Sequence, residues 1–324
     1  MAMLKRFRNM RSEDNTGFGN NSNNSGRFFD RRTGGANVHK KGVSLLNRYS
    51  WYHTMLGMPS GKFLFLLLLI YVSANLVFAG IYYLIGVEHL AGIERSHNLR
   101  EFSEVFFFST QTFTTVGYGR ISPTGFLTSA VSTFEAFLGL LSFAIATGLF
   151  YGRFSRPQAF LKFSEAALVA PYKDGSALMF RMSPFKNNLL SEAEVKLTLA
   201  MRVEENGKTV NKFFGLPVEI DKLNSFSLSW TIVHPLNEAS PLAGFTEEDF
   251  RNTDLELMVF VKAFDEVFSN TVVARWSYIT NEFVWGARFN PMFYAGTDRQ
   301  STYVDISRLN SYSPATIPSA SAIL

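Results

Sequence analysis

Two long apolar runs constrain this chain more than any other feature of its sequence. The first, Phe63 to Ile85, carries no formally charged residue, and the second, Phe126 to Tyr151, carries a single acid, Glu135. A hydrocarbon core of about 30 Å is crossed by a helix of roughly 20 apolar residues. We therefore predict two transmembrane helices, over residues 63–85 and 126–151.

The segment between these runs contains an aromatic stretch that is too short to cross a membrane. Phe106 to Phe113 follows a polar stretch and precedes a segment that contains two glycines. Irregular backbone is tolerated at membrane depth only where it is buried in protein or lines water. We therefore predict a re-entrant loop that opens to the outside and contains a pore helix over about residues 102–113.

The next five residues, 115–119, carry the strongest functional signal, and they are Thr115, Val116, Gly117, Tyr118 and Gly119. The two glycines permit backbone conformations closed to other residues, so that successive carbonyl oxygens can face one axis. A ring of such oxygens replaces the water that K⁺ loses, and one loop supplies a single oxygen per level. We predict a potassium selectivity filter at residues 115–119, with K⁺ at the carbonyls of residues 115–118 and four chains in a homotetramer.

The second span should line the inner pore. Residues four apart share a helix face, which groups Ser142, Ala146 and Phe150 in one stripe. Phe150 lies nearest the cytoplasm and is the predicted hydrophobic gate, a Phe packed on a neighbouring helix being the alternative.

Three further positions of this span stand out by charge or size. Glu135 is costly at membrane depth, so we predict that it faces protein and supports the filter from behind, a snorkelling surface acid being the alternative. Gly139 and Gly148 fit either hinges or small-residue contacts, and the sequence does not separate these roles.

Charge and composition place the termini and exclude several functions. Arg and Lys are dense before the first span and just after the second, which predicts an integral membrane protein with both termini cytoplasmic. The net charge of +4 thus reflects topology, and we expect no nucleic-acid partner. Without cysteine there is no thiolate chemistry, and the five His form no defensible metal or nucleophile spacing. We expect no enzyme and no cofactor, with K⁺ as the permeating ligand.

The other segments differ in composition and periodicity. Residues 1–44 are rich in Asn, Gly and Ser and predict a disordered arm, whereas residues 45–60 predict an interfacial helix or, alternatively, an aromatic-rich linker. Residues 158–295 alternate polar and apolar and predict an antiparallel β-sandwich, and residues 296–324 predict a loose tail. The fold class is membrane α plus all-β, with the pore domain at residues 61–157.

Several motifs together resemble the inward-rectifier potassium channel family, specifically its prokaryotic branch. They are the segment 115–119, Arg156-Pro157, Leu178 to Arg181, Thr231 to His234, Trp285-Gly286 and, in the arm, Arg32-Thr33-Gly34 with Asn37-Val38. The resemblance implies two transmembrane helices per subunit, a slide helix before the first and an immunoglobulin-like cytoplasmic domain. Gln111 in place of the acid beside the filter, and the missing extracellular cysteines, point to the prokaryotic branch and hence to a bacterial inner membrane.

The resemblance also implies roles for individual residues. Arg153 and Arg156 match basic positions that bind phosphoinositide headgroups in eukaryotic members, which implies contact with anionic lipids. Glu192 and Glu266 match the acidic ring of the cytoplasmic pore and would concentrate cations there, a solvated strand face being the alternative. Ser142 matches the position of polyamine and magnesium block and is not acidic, so strong rectification from the membrane pore is not expected.

Two other functions compete with this reading. A ligand-gated two-helix potassium channel would use the β domain as a receptor for a small molecule. A nucleotide-binding sensor is disfavoured, because no Gly-rich loop leads from a strand into a helix. A membrane-anchored interaction module would use the spans only as anchors, which leaves the segment 115–119 unexplained. Substitution of Gly117 separates an anchor from a conductor.

Overall fold

The computed structural model describes residues 50–94, 98–205, 208–295 and 302–318, together with 27–31, 35, 37, 38, 41, 42 and 44. The chain forms two compact units, Lys41–Arg156 and Met1–Lys40 with Pro157–Leu324. Most of the predicted arm, including its Arg32-Thr33-Gly34 motif, lies outside the described residues, as do the first residues of the predicted interfacial helix and both ends of the predicted tail.

In its described part, the unit Lys41–Arg156 contains four α-helices, α1 (Trp51–Gly57), α2 (Ser60–Ile85), α3 (Asn98–Phe113) and α4 (Phe126–Phe154), and a 3₁₀ helix at Val87–His89. Ser50 caps α1, because its side chain accepts a hydrogen bond from the His53 amide. At a rise of 1.5 Å per residue, the 26 residues of α2 and the 29 of α4 extend about 39 and 44 Å. Both are long and apolar enough to cross a membrane, as the sequence predicted.

A small apolar core holds the short helix α3 against α2. It contains Phe78, Ala79 and Tyr82 of α2 together with Val105 and Phe108 of α3, each at most 7% exposed. The Tyr82 and Phe108 rings meet edge to face at 5.1 Å. A two-residue antiparallel pair, β1 (Leu90–Ala91) with β2 (Ser122–Pro123), ties the segments before and after α3 together.

Two five-stranded sheets form the core of the second unit. The first sheet contains β3 (Leu161–Phe163), β4 (Ala167–Tyr172), β5 (Gly175–Pro184), β9 (Trp230–Pro235) and β12 (Phe283–Trp285). Its strand order is β12-β4-β5-β3, and β9 also pairs with β5. The second sheet contains β6 (Leu190–Glu205), β7 (Lys208–Leu216), β8 (Lys222–Phe226), β10 (Leu255–Asp265) and β11 (Asn270–Ile279). Its strand order is β11-β10-β6-β7, and β8 also pairs with β6. A short helix, α5 (Glu247–Asn252), precedes β10.

The two sheets share one hydrophobic core. Phe180 and Ile232 of the first sheet and Leu199 and Val259 of the second are at most 1% exposed and belong to the same buried cluster. Alternate residues of a strand point to opposite faces, and β9 shows the corresponding pattern, with Trp230, Ile232 and His234 buried and the residues between them half-buried. The predicted β-sandwich after two spans is confirmed.

Residues 27–31 differ from the prediction of a disordered arm, because they dock on the β-sandwich. Phe28 is 4% exposed, and its ring meets that of Phe213 at 5.6 Å. Its backbone amide donates to both carboxylate oxygens of Glu256, at 2.8 and 3.0 Å. Arg31 lies 4.5 Å over the Trp276 ring and pairs with Glu282 at 2.6 Å. The arm has too few apolar residues for a core of its own, and Phe28 instead packs with Ala200, Phe213 and Met258 of the second sheet in a small cluster.

The described residues of the predicted loose tail also form structure. Short strands pair antiparallel, β13 (Ala287–Phe289) with β16 (Tyr312–Pro314) and β14 (Phe293–Ala295) with β15 (Thr302–Val304). The Tyr294 and Tyr303 rings stack at 5.7 Å, and Leu309 is 4% exposed. Strands of three residues leave almost no periodic signal, which is why the sequence did not reveal them.

Candidate functional site

The segment 115–119 has an alternating backbone. Thr115, Gly117 and Gly119 have φ angles of 60°, 52° and 80°, whereas Val116 and Tyr118 between them are not in the positive range. Such alternation turns successive peptide planes so that their carbonyl oxygens share one side. The two glycines are there for this conformation, since an added Cβ would meet no atom within 4 Å in the single chain. A threonine at positive φ costs roughly 1–3 kcal/mol, a strain typical of functional sites.

The amide groups of Thr115, Val116 and Gly117 donate hydrogen bonds, while the carbonyls of residues 115–118 accept none from the described residues. The Val116 and Gly117 amides donate to the Gln111 carbonyl at 3.0 and 3.3 Å, and the Thr115 amide donates to the Thr112 carbonyl at 3.0 Å. These bonds satisfy carbonyls at the end of α3. Among the described residues, no hydrogen bond reaches the carbonyls of residues 115–118. A row of unpaired oxygens on one side can coordinate a dehydrated cation.

A close contact fixes the backbone directly after the segment, at Arg120. Gly92 has a φ of 90°, and an added Cβ would lie 1.9 Å from the Arg120 carbonyl oxygen. The following residue, Ile121, is 7% exposed and joins the core behind α3. The Thr124 amide donates to the His89 carbonyl at 2.8 Å, which continues the pairing of the flanking strands.

Glu135 lies at the centre of a buried polar cluster between α2, α3 and α4. The Tyr82 hydroxyl donates to one carboxylate oxygen at 2.6 Å, and Ser109 Oγ lies 2.5 Å from the other. Ser109 Oγ also lies 3.1 Å from Asn75 Oδ1, and Asn75 Nδ2 donates to the Tyr71 carbonyl at 2.7 Å. Asn75, Tyr82, Ser109 and Glu135 are all 0% exposed. The acid thus faces protein and contacts the helix that precedes the segment 115–119.

The structure decides between the two interpretations of Gly139. A Cβ at this position would lie 1.9 Å from the Phe113 carbonyl oxygen and 2.7 Å from its carbon, at the last residue of α3. Gly139 is therefore a contact between α4 and the end of α3. At Gly148, in contrast, an added Cβ would meet nothing within 4 Å in the single chain.

The predicted inner stripe lies mostly on the packed side of α4. Phe150 is half-buried, and its ring meets the buried Phe63 ring of α2 edge to face at 5.3 Å. Ala146 is also half-buried, whereas Ser142 is exposed. A different stripe is open, with Phe143 73% and Tyr151 75% exposed and Thr147 exposed between them. The two stripes are offset by one residue, which is a rotation of about 100° around the helix axis. Because the run is uniformly apolar, residue spacing alone does not show which stripe is the open one.

Arg153 caps the short helix α1. Its guanidinium donates to the carbonyls of Met55 at 2.6 Å and Met58 at 2.7 Å, and it lies 4.5 Å over the Phe63 ring. These carbonyls have no partner within α1, so the arginine satisfies a helix C-terminus. Arg156, three residues later, is exposed.

Glu192 and Glu266 lie at neighbouring strand ends of the second sheet, and both are exposed. Glu192 has a φ of 48° and sits where the register between β6 and β10 shifts, while the Glu266 amide donates to the Leu189 carbonyl at 3.0 Å. A β-bulge of this kind redirects a side chain.

Comparison with known proteins identifies both halves of this architecture. Residues 161–323 match the family described as inward rectifier potassium channel C-terminal domain, and residues 70–156 match the family described as ion channel. The chain is 33% identical over 267 residues to inward rectifier potassium channel Kirbac3.1 from Paramagnetospirillum magnetotacticum, covering 80% of this chain and 87% of that protein.

Mammalian proteins match as well. The chain is 29% identical to ATP-sensitive inward rectifier potassium channel 12 from Bos taurus and to inward rectifier potassium channel 18 from Homo sapiens. Each match covers 78% of this chain, and 64% and 63% of the two relatives. The solved structure of Spo0M, a sporulation control protein from Bacillus subtilis, matches 42% of this chain and 58% of that chain at 10% identity and a TM-score of 0.22, which bears no weight. Given the family match over the C-terminal half and the bacterial relative, this chain belongs to the inward rectifier potassium channel family.

Proposed function

We propose that this chain is one subunit of a homotetrameric, potassium-selective channel of the inward-rectifier type, which conducts K⁺ passively across a bacterial inner membrane with both termini in the cytoplasm. The observation that carries the proposal is the alternating backbone of residues 115–119 with its unpaired carbonyls. It follows a short helix and lies between two spans, as a selectivity filter requires. Membership of the family supports the same conclusion.

Four copies are needed because one segment offers a single oxygen per level. The exposure of the side chains in the single chain supports such a ring, since Val116 is 53% and Tyr118 79% exposed. Neighbouring subunits would cover these side chains while the carbonyls face the axis. Glu135 would support the filter through Ser109, as its buried contacts indicate.

The inner gate has two candidates on α4. Phe150, with Ser142 and Ala146, is the predicted lining, and its half-exposed ring is compatible with a constriction. Tyr151, with Phe143 and Thr147, occupies the more open face. Alanine at the true constriction should raise the flux of the resting channel, because a smaller side chain lets water remain in the pore. Alanine at the other position should leave that flux unchanged.

Three charged regions would modulate conduction. Arg156 is exposed beside the inner end of α4 and would contact anionic headgroups, and Arg153 would do so only with donors not used by α1. Glu192 near the start of β6 and Glu266 directly after β10 are exposed at neighbouring strand ends, where their charge would concentrate K⁺ in the cytoplasmic pore.

The decisive experiment is K⁺ against Na⁺ uptake into liposomes that contain the purified protein, with barium as blocker. Gly117→Ala should abolish selective uptake, because an L residue in the left-handed region costs about 1–2 kcal/mol in each of four subunits. Gly80→Ala is the matched control, since it lies in α2 without a positive φ and with no atom within 4 Å of an added Cβ. Equal uptake of both ions by the wild type would contradict the proposal.

A further inference from the structure

Arg120 is the first residue after the segment 115–119, and its backbone is held in place. The packing of its carbonyl against Gly92 leaves no room for even a methyl group, since an added Cβ would lie 1.9 Å away. On the other side, Ile121 is buried. The side chain of Arg120 therefore starts from a fixed point at the outer end of the segment.

A buried acid holds the other end of this side chain. Arg120 Nη2 lies 3.6 Å from Oε1 of Glu104, which belongs to α3. The second oxygen of Glu104 accepts a hydrogen bond from the Glu94 amide at 3.2 Å. Glu104 is buried, so its carboxylate requires such partners, because an unpaired buried charge is costly. At 3.6 Å the contact with Arg120 is an ion pair without a short hydrogen bond.

The two charges of this pair differ in their access to solvent. The Arg120 side chain is 56% exposed, whereas that of Glu104 is only 11% exposed. An ion in the water outside the filter therefore meets the positive member first, with the negative member behind it in the protein. The pair does not cancel for such an ion, because the nearer and more exposed charge dominates.

We propose that Arg120 sets the cation affinity of the outer mouth: in the assembled channel it forms a positive ring that repels external cations, held in place by Glu104. This inference rests on the proposed function, since only a fourfold pore makes one arginine into a ring. Repulsion acts most strongly on divalent cations, so Ba²⁺ entering from outside is the appropriate probe. Four charges roughly 10 Å from a divalent ion would weaken its binding about fivefold at physiological ionic strength.

The experiment measures external Ba²⁺ block of the full-length channel in planar bilayers, with Ba²⁺ on one side. Arg120→Gln should lower the half-blocking Ba²⁺ concentration about fivefold, while Arg120→Lys should stay within about twofold of wild type. Arg100→Gln is the matched control, because Arg100 pairs at 2.8 Å with Glu94, which is as exposed as Arg100 itself, so that both charges of this pair face solvent. It should leave the half-blocking concentration near that of wild type.

A second measurement needs no variant. At constant K⁺, adding an impermeant salt should strengthen external Ba²⁺ block of the wild type, because salt screens a repulsion. A weaker block at higher salt would indicate a negative mouth and overturn the inference. Equal block of wild type and Arg120→Gln would also overturn it. So would a loss of conduction in Arg120→Gln together with a block of the wild type that weakens as salt is added. A wild type without any barium-sensitive K⁺ current would overturn the proposed function itself.

Discussion

The contact between Gly139 and the end of α3 makes a quantitative prediction. An added Cβ would lie 1.9 Å from the Phe113 carbonyl oxygen, whereas ordinary contacts begin at 3.4 Å, so two backbones would have to separate by about 1.5 Å. Overpacking of a tight core costs roughly 1–3 kcal/mol, and rigid backbone on both sides favours the upper end. Alanine gains about 1 kcal/mol in helix propensity, so we expect Gly139→Ala to destabilise each subunit by about 1–2 kcal/mol.

The same substitution should also disturb conduction. Phe113 is the last residue of α3, and Thr115 with its positive φ follows two residues later. A shift of the helix end would therefore reach the filter. Thermal unfolding in detergent and the ratio of K⁺ to Na⁺ uptake in liposomes measure the two effects.

Gly148→Ala is the control on the same helix, because an added Cβ there meets no atom within 4 Å of the single chain. It should leave the unfolding temperature and the selectivity unchanged or raise the former. If Gly139→Ala behaved like this control in both assays, the assignment of Gly139 as a packing contact would be refuted, and a hinge role would regain its place.

Three further predictions concern other contacts. Ser109→Ala should lower the free energy of unfolding by about 1–3 kcal/mol, because Glu135 loses a buried hydrogen-bond partner. Ser103→Ala, on the exposed side of the same helix, should change this free energy little. Thermal unfolding measures both variants, and equal effects would contradict the role of the cluster. Arg153→Gln should speed amide hydrogen exchange in α1, since the helix loses the cap on its last carbonyls, and Arg156→Gln should not; unchanged exchange in both would remove the capping role. Burial lowers the pKa of His234 below its ordinary 6.5, so the unfolded chain binds more protons just below pH 6.5 and stability should fall as the pH drops through that range. Unfolding temperatures at pH 7.5 and 5.5 measure this loss, which His234→Asn should flatten; a loss as large in that variant would show that another group causes it.

Some features of the structure follow from the residues of a single segment, without reference to any other segment of the chain. The helices α2 and α4 follow from apolar length, because a helix satisfies its own backbone in lipid. The β-sandwich follows from alternation, since one face of each strand must be buried. The positive φ angles of Gly117 and Gly119 agree with the filter prediction, which rested on the backbone freedom of these two residues.

Other features depended on which groups meet in space. The family resemblance implied that Arg153 binds lipid headgroups, yet its guanidinium donates to carbonyls at the end of α1, a segment about a hundred positions earlier in the chain. Phe150 and Tyr151 are adjacent and aromatic, so only the packing of Phe63 distinguishes their faces.

The sequence by itself thus determined the spans, the sandwich and the family, and it predicts a filter at residues 115–119, because each depends on properties local to a segment. Only the tertiary structure decided the packing contact of Gly139, the partners of Arg153, the pairing of Arg120 with Glu104, the docking of residues 27–31, and the face of α4 that stays open. Each of these depends on a contact between segments that are distant in sequence, and a contact of that kind leaves no periodic or compositional trace in either segment.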